Sequence, residues 1–453
     1  MPIHLEHQQF SQIHDSLLYA LDAQDITAIH SILNEDLTTV DIAHILESTP
    51  HSTRQDIWNF LSEVQKGEVI SHLGDDLQLD FLARMSPQQI VDSTQELDSD
   101  DITDLLQQLP EKHRNLILHS MEPEDRLEVE GLLAWPEDTA GGLMNPDLIR
   151  VRANVSLDVI LRFLRRQRDL PDQFESIFVV NRNDQFVGLL PLHRLVVSDP
   201  ELTVREVMNS DIEGIPAGMD DGEVARLFAN HDLLSAPVVD DEGRLLGQIT
   251  IDDVVDVIQE DADHTVMSMA GLDEDEDAFA PILKSSKNRA IWLGINLLTA
   301  FIAALVILKF EDAIALITAL AVLNPVVASM GGVAGSQTLT LVIRAQAMNQ
   351  INSNNFRWLL GRELGVGIIN GLLWGMITAS ISYLLFSDPS LSFVAGFAIF
   401  INVVTGKIAG ASLPVLLKKL EIDPALSGSV ILTTITDSVG FFTLLGFASW
   451  YLL

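Results

Sequence analysis

Asp423-Pro424-Ala425-Leu426-Ser427-Gly428-Ser429-Val430-Ile431-Leu432-Thr433-Thr434-Ile435-Thr436-Asp437-Ser438-Val439-Gly440, followed by apolar residues to Leu453, decides how this chain is read. As a helix, Leu426 to Leu453 can span a bilayer, which takes about 20 apolar residues, and Asp437 then lies near its middle. A carboxylate at that depth costs roughly 2.5–3.5 kcal/mol on insertion scales, so it should face protein or water rather than lipid. Thr433 and Gly440 share its helical face, and Ser429, Thr436 and Thr443 border it. This stripe of hydroxyls and small residues around one acid suits a hydrated cation path. The alternative is an acid paired with a buried Lys or Arg, and no base lies on the same helix to support it.

The rest of the chain divides into two unlike halves. Residues 282–453 hold 10 Lys and Arg against 7 Asp and Glu, which leaves 17 and 57 of the chain's 27 and 64 for residues 1–281, nets of +3 and −40. So acidic a half excludes nucleic acid as a partner, since that demands basic faces. It suits the collection of hard cations, whose ligands are oxygens, although acidity alone also keeps a domain soluble. The absence of cysteine excludes thiolate metal sites and a disulfide framework. The polar N-terminus has no secretory pattern, so the acidic half is expected in the cytoplasm.

Five hydrophobic segments follow Arg289: Ala290 to Leu308, Ala313 to Ile343, Leu364 to Ser387, Ser390 to Leu417, and the opening stretch. Cytoplasmic loops should be rich in Lys and Arg. With the acidic half inside, five spans place Arg344, Arg357, Arg362, Lys418 and Lys419 inside and the C-terminus outside, with Trp450 and Tyr451 as the outer aromatic anchor. The second segment is expected to be broken at Asn324-Pro325 and at the glycine run Gly331-Gly332-Val333-Ala334-Gly335, lining a polar interior with Asn324, Ser336, Gln337 and Thr338. Close helix packing accounts for the glycines equally well, but not for Asn324 and Gln337. Lys407, inside the fourth segment, is expected to snorkel to the cytoplasmic interface, with a salt bridge to Asp437 as the alternative.

In the soluble half, residues from about 12 to 133 read as short amphipathic helices. Ile45-Leu46-Glu47-Ser48-Thr49-Pro50 with Arg54 is echoed by Leu105-Leu106-Gln107-Gln108-Leu109-Pro110 with Arg114, which points to stacked helical units sharing one core. After Asp138-Thr139-Ala140-Gly141-Gly142-Leu143-Met144 the pattern becomes short strands and helices in two copies: Ser176 to Val180 and Phe186 to Pro191, then Ala236 to Asp240 and Leu245 to Asp253. Residues 140–260 resemble a tandem pair of cystathionine-β-synthase-type (CBS) domains. Such domains often bind adenine nucleotides through a Gly-x-x-Thr/Ser-x-x-Asp run, and Gly247, Thr250 and Asp253 match it, which implies an ATP site at Thr250 and Asp253 in one copy only. Pro191 and Arg194 replace the Thr and Asp in the first copy. Thr250 as a cap of the following helix is the competing reading. That helix carries Asp252, Asp253, Asp256, Glu260, Asp261 and Asp263, whose mutual repulsion a bridging divalent ion would relieve. Residues 272–277 read as a flexible acidic linker.

This order of parts, with Asp138 to Met144, Asp423-Pro424-Ala425, Thr433-Thr434 and Asp437, resembles the MgtE family of magnesium channels and transporters across essentially the full chain. The implied architecture is multidomain: an all-α acidic N-domain (1–137), α/β CBS domains (138–203 and 204–263), a connecting helix and acidic linker (252–286), and an α-helical membrane domain of five transmembrane helices (287–453). The resemblance implies a plasma-membrane homodimer, a pore built from the second and fifth spans, and Asp437 of each protomer holding hydrated Mg2+. It carries sensor ligands onto Asp220, Asp232, Asp253, Asp256 and Asp261, through which Mg2+ locks the pore shut. Where the family has further acids this chain has Gly222, His264 and Thr265, and Val333 and Ser336 stand where asparagines are common. Mg2+ demands octahedral oxygen ligation and gives up water reluctantly, so a pair of carboxylates around a hydrated ion is a sensible filter. Another hard divalent cation, Mn2+ or Co2+, is the alternative cargo. A nucleotide-sensing membrane enzyme is the alternative from a different class, but no hydrolase, metalloprotease or P-loop motif is present and the expected protein is not an enzyme. A CBS-regulated anion channel should show basic pore residues and many more spans.

Overall fold

A computed structural model describes residues 7–95, 97–167, 174–272, 276–352, 354–420 and 422–453. They form two compact units, Met1–Ala262 with Asp275–Pro281, and Asp263–Glu274 with Ile282–Leu453.

The first unit opens with ten short α-helices and one π-helical turn, Ile32–Asp36, between His7 and Leu132 among the described residues. Their starts are written locally. Thr38, Ser62 and Ser86 each cap a helix by accepting from the amide three residues on, and donate their own amides to the side chains of Asp41, Gln65 and Gln89, the reciprocal arrangement that satisfies two orphan amides. The echoed sequence is a repeated helical hairpin, in which Pro50 and Pro110 occupy the N-cap of the second helix. The apolar faces merge into one core around Leu17, Ile45, Ile57, Val69 and Leu106. Arg54 is buried there, its Nε donating to the Leu46 carbonyl at 2.7 Å and its Nη1 to Asp277 Oδ2 at 2.8 Å. The linker expectation is corrected at this point. Asp277 is not a freely solvated acid, because a buried guanidinium needs a counter-charge and Asp277 supplies it; Asp273, Glu274 and Asp275 lie outside the described residues.

Two three-stranded sheets follow, β1 (Arg150–Arg152), β2 (Ser176–Val180) and β3 (Phe186–Pro191), then β4 (Ile215–Pro216), β5 (Ser235–Val239) and β6 (Leu245–Thr250). In each the first pair is parallel and the second antiparallel, and the register slips at equivalent places, Val179/Val180 and Val238/Val239. The functional argument needs three helices of this unit: α1 (Ser99–Gln107), α2 (Asp221–His231) and α3 (Ile251–Met269), whose last turns belong to the second unit.

The second unit has five helices long and apolar enough to cross a membrane: α4 (Ile282–Leu308), α5 (Ala319–Ala347), α6 (Phe356–Phe386), α7 (Pro389–Lys419) and α8 (Pro424–Tyr451). α7 is the central helix, packed by α5, α6 and α8. α4 is polar and basic up to Arg289 and uncharged from Ala290 on, and among its described residues only Ala303 is buried.

Two sequence expectations are revised. α5 runs unbroken through Pro325 and the glycine run. The glycines serve contact instead: a Cβ on Gly335 would meet Leu432 at 2.8 Å, and one on Gly410 would meet the Gly335 carbonyl at 2.4 Å. Lys407 does not snorkel. It is buried, and its Nζ donates to Gln337 Oε1 at 3.2 Å.

Candidate functional site

α8 begins where its sequence says it should. Asp423 caps it, its two carboxylate oxygens accepting from the amides of Ala425 at 2.9 Å and Leu426 at 3.0 Å, and Pro424 follows at the first helical position. Asp437 lies 13 residues beyond Pro424, about 20 Å along the axis at 1.5 Å per residue. It is half-buried, with Thr433 exposed one turn before it and Gly440 buried one turn after. Thr433, Thr434 and Thr436 donate their hydroxyl protons to the carbonyls of Ser429, Val430 and Leu432 on their own helix. A hydroxyl used this way keeps acceptor lone pairs, which is what the water shell of a cation needs. Among the described residues no hydrogen bond or ion pair reaches Asp437, and Lys407 is committed to Gln337. Pairing of Asp437 with a buried base has no support in this geometry.

Asn402 of α7 sets the crossing of the two helices behind Asp437. It is fully buried, and its Nδ2 donates to the Val327 carbonyl of α5 at 2.7 Å. A Cβ on Gly331 of α5 would come within 2.2 Å of that nitrogen, and one on Gly440 of α8 within 2.6 Å. The amide thus occupies a socket that only two glycines leave open.

Sequence reasoning missed a second intramembrane acid. Glu363 of α6 is buried, its Oε2 accepting from Thr338 of α5 at 2.9 Å and its Oε1 from Arg362 at 2.5 Å. The hydrophobic segment read from Leu364 onward left Glu363 in a loop, whereas the helix starts at Phe356. Leu359 and Leu360 ahead of the charged pair were the available signal.

In the first unit, the predicted sensor acids fall into three places. Asp253, near the start of α3, accepts from the amide and hydroxyl of Thr250 at 3.2 and 2.9 Å, so Thr250 and Asp253 together start the helix. Asp256 is exposed one turn on. Burial, then the charges of Asp100 on α1 and of Asp252, push Asp253 up to about 7. Asp100 is likewise pushed up to about 7, by burial and then by Asp101 and Asp98. Asp101 and Asp104 of α1 also feel the charge of Asp253, so the acids of the two helices lie within electrostatic reach of one another. Asn145 reaches into it, its Nδ2 donating to Asp100 Oδ1 at 3.2 Å. The chain pattern gave no sign that the α1 acids come near Asp253, because only the fold brings them to α3.

The second place is the start of α2. Asp220 caps that helix, accepting from the Glu223 amide at 3.2 Å. A Cβ on Gly222 would lie 3.3 Å from Asp220 Oδ1 and 3.7 Å from Asp261 Oδ2, so these two predicted acids converge on the position that lacks one. Neighbouring Asp221 is raised from the ordinary carboxyl range by burial first, opposed by its bond to Gly222 and reinforced by Asp220, Asp138 and Asp261. Asp232 stands apart, in a left-handed conformation (φ 53°) at the other end of α2, about 16 Å away by helical rise. In the second unit, His264 Nε2 lies 3.8 Å from Asp423 Oδ2. Among the described residues no three His, Asp or Glu groups are arranged to hold a metal ion directly, and what the acids of α1 and α3 form are two rows within electrostatic reach of each other.

Comparison with known proteins places these features together. The family model described as MgtE, divalent cation transporter, matches residues 324–447; that of the MgtE intracellular N domain matches 37–138; that of the CBS domain matches 140–199 and 204–260. The magnesium transporter MgtE of Thermus thermophilus is 32% identical over 430 residues, 94% of this chain and 95% of that protein. The Bacillus subtilis protein of the same name is 27% identical over 427 residues, 94% of each chain. A crystal structure described as the cytosolic domain of the Mg2+ channel MgtE in complex with ATP superposes with a TM-score of 0.50 at 35% identity, covering 54% of this chain and 99% of that one. Sharing its whole order of domains with these relatives, the chain belongs to the MgtE family of magnesium transporters.

Proposed function

We infer that this chain is a channel that passes Mg2+ through the bilayer and is closed by Mg2+ bound to its soluble half. The observation that carries the first part is Asp437, a half-buried carboxylate at mid-span with no protein partner among the described residues. Relatives named as magnesium transporters over nearly the whole chain support the choice of ion. Mg2+ keeps its water shell where it can, so the ion meets Asp437 through water, with the threonine oxygens of α8 receiving the outer protons. One carboxylate cancels half of the ion's charge. A homodimer that brings Asp437 of two copies to one axis, each with its α5 and α8, completes the neutralisation.

The gate follows from the facing acids. Asp100, Asp101 and Asp104 of α1 and Asp253 and Asp256 of α3 repel one another, and Asp100 and Asp253 are desolvated besides. Mg2+ between the rows converts repulsion into a bridge, and Asp220 with Asp261 forms a second, weaker clamp beside Gly222; Asp232 serves only through another element or another copy. α3 then carries the clamped state toward the membrane half. The orientation fits soluble domains in the cytoplasm and the C-terminus outside. ATP at the second CBS copy is the reading supported by the nucleotide-bound relative; here it would meet Thr250 and Asp253, which already bond to each other. No step in this reading is catalytic.

The test is Mg2+ flux into liposomes. Asp437→Ala should reduce uptake to the background of empty vesicles while the protein elutes at the parent's oligomeric size. Uptake near the parent's rate refutes the assignment.

A further inference from the structure

α5 and α6 each pack on α7 but touch each other little. At the basic end of the bundle they leave a cavity of about 460 Å³ between them. Its lining has two chemistries. Leu341, Met348, Trp358 and Leu359 form apolar walls, and Arg344 and Arg362 supply two guanidinium groups with no acid among the lining residues. The walls are open to the outside: Trp358 is 70% exposed and Met348 53%. The floor is built rather than slack. In the α5–α6 connection Asn352 Oδ1 accepts from the amides of Asn354 and Asn355 at 3.0 Å, and Asn355 Nδ2 donates to the Gln350 carbonyl at 2.7 Å.

We propose that this cleft binds an anionic phospholipid, its phosphate against Arg344 and Arg362 and an acyl chain along Leu341 and Leu359. Guanidinium groups recognise phosphate by paired, charge-assisted bonds, and Arg362 spends one of its five donors on Glu363. Charge complementarity selects an anion, since the two arginines outnumber the one carboxylate of Glu363 that pairs with Arg362, and a zwitterionic headgroup would bring its own cation against them. The exposed apolar wall selects a lipid over free phosphate. Trp358 sits at the rim, where an amphipathic ring belongs at a membrane interface. A bound headgroup also meets the arginine that donates to Glu363, whose other carboxylate oxygen accepts from Thr338 of α5, so the lipid bears on the packing of α5 against α6.

The experiment uses the full chain in neutral detergent, with binding read from thermal unfolding during titration with phosphatidylglycerol, phosphatidylcholine or glycerol 1-phosphate. Phosphatidylglycerol should stabilise the protein at lower concentration than phosphatidylcholine. Arg344→Gln should weaken that binding by about fivefold, the usual worth of one basic residue at an anionic surface. Arg344→Lys, which keeps the charge and loses the paired geometry, should fall between the parent and Arg344→Gln, and Lys418→Gln with Lys419→Gln, at the same end but outside the cleft, should leave binding unchanged. Equal stabilisation by the two lipids overturns the proposal. So does equal loss in the Lys418/Lys419 variant, which means diffuse attraction, or equal stabilisation by glycerol 1-phosphate, which means a bare phosphate site. Disulfide cross-linking of two copies through Leu341→Cys would show a second copy in the cleft and overturn it as well.

Discussion

Gly331→Ala places a methyl group 2.2 Å from Asn402 Nδ2, 2.4 Å from its Cγ and 2.6 Å from its Oδ1. Ordinary contact for such atoms is about 3.5–4.0 Å, so relief requires more than 1 Å of movement. The neighbours give little room. Asn402 is fully buried and tied to the Val327 carbonyl, Gly440 blocks its other side, and a Cβ on Gly406 would already meet the Gly331 carbonyl at 2.4 Å. Either α5 and α7 separate or the amide leaves its socket. Overpacking of a tight core costs about 1–3 kcal/mol, and loss of the amide's buried bond adds about 1–3 kcal/mol.

The assay pairs thermal unfolding of the full chain in detergent with Mg2+ uptake in liposomes. Gly331→Ala should unfold several degrees below the parent and transport poorly, because the displaced crossing also shifts Gly440 and with it Asp437, three residues away. Adding Asn402→Ala removes the obstructing amide, so the double variant should recover part of both stability and uptake. A Gly331→Ala protein that matches the parent, or a double variant with the losses simply summed, refutes the socket.

Three further outcomes are expected. Asp277→Asn leaves the Arg54 guanidinium, whose side chain is 2% exposed, without its counter-charge and should destabilise the helical domain by about 3–5 kcal/mol; chemical denaturation with an unchanged midpoint would refute the pairing. Asp100 and Asp253, raised from 3.8 to about 7, favour the folded contact when protonated, a contribution complete below about pH 4 and lost as pH rises through about 7. Metal-free full-length protein should therefore resist protease better near pH 6 than near pH 8, with Mg2+ abolishing most of the difference; a pH-independent cleavage rate in chelator counts against the facing rows. Gly222→Glu, which puts a third carboxylate beside Asp220 and Asp261, should lower the Mg2+ concentration that closes the channel several-fold, since ligand charge sets the affinity of such sites, and closure at the parent's concentration would show that the missing acid has no bearing on gating.

The features legible in the sequence are those carried by local pattern. Five apolar stretches announce five membrane helices, and the Thr250–Asp253 spacing announces a helix start, because hydropathy and capping act over a few neighbouring residues. What escaped depends on partners remote in the chain. Arg54 and Asp277 are 223 positions apart, and nothing near Asp277 marks it as anchored. Pro325 and the glycine run look like a break until Asn402, Gly406 and Gly410 of α7 fill the groove they open. Lys407 reads as a snorkelling residue because its aliphatic stem permits it. Its fate was decided by Gln337 on another helix, which accepts from its Nζ at 3.2 Å.

The arrangement of charges in the membrane half bears on which residue handles the ion. Glu363 has Thr338 and Arg362, Lys407 has Gln337, and Asp388 and Asp423 are spent as helix caps that satisfy backbone amides. Each of these charges lowers the energy of a defined neighbour. Asp437 does not, among the described residues, although it lies deeper than either cap and costs roughly 2.5–3.5 kcal/mol at mid-bilayer. A mutation to Asn or Ser would remove that cost, so the carboxylate's compensation lies outside the chain's own described contacts. On the proposed reading a divalent ion in its water shell supplies it, since among the described residues of the five spans Asp437 is the acid whose oxygens no protein donor holds.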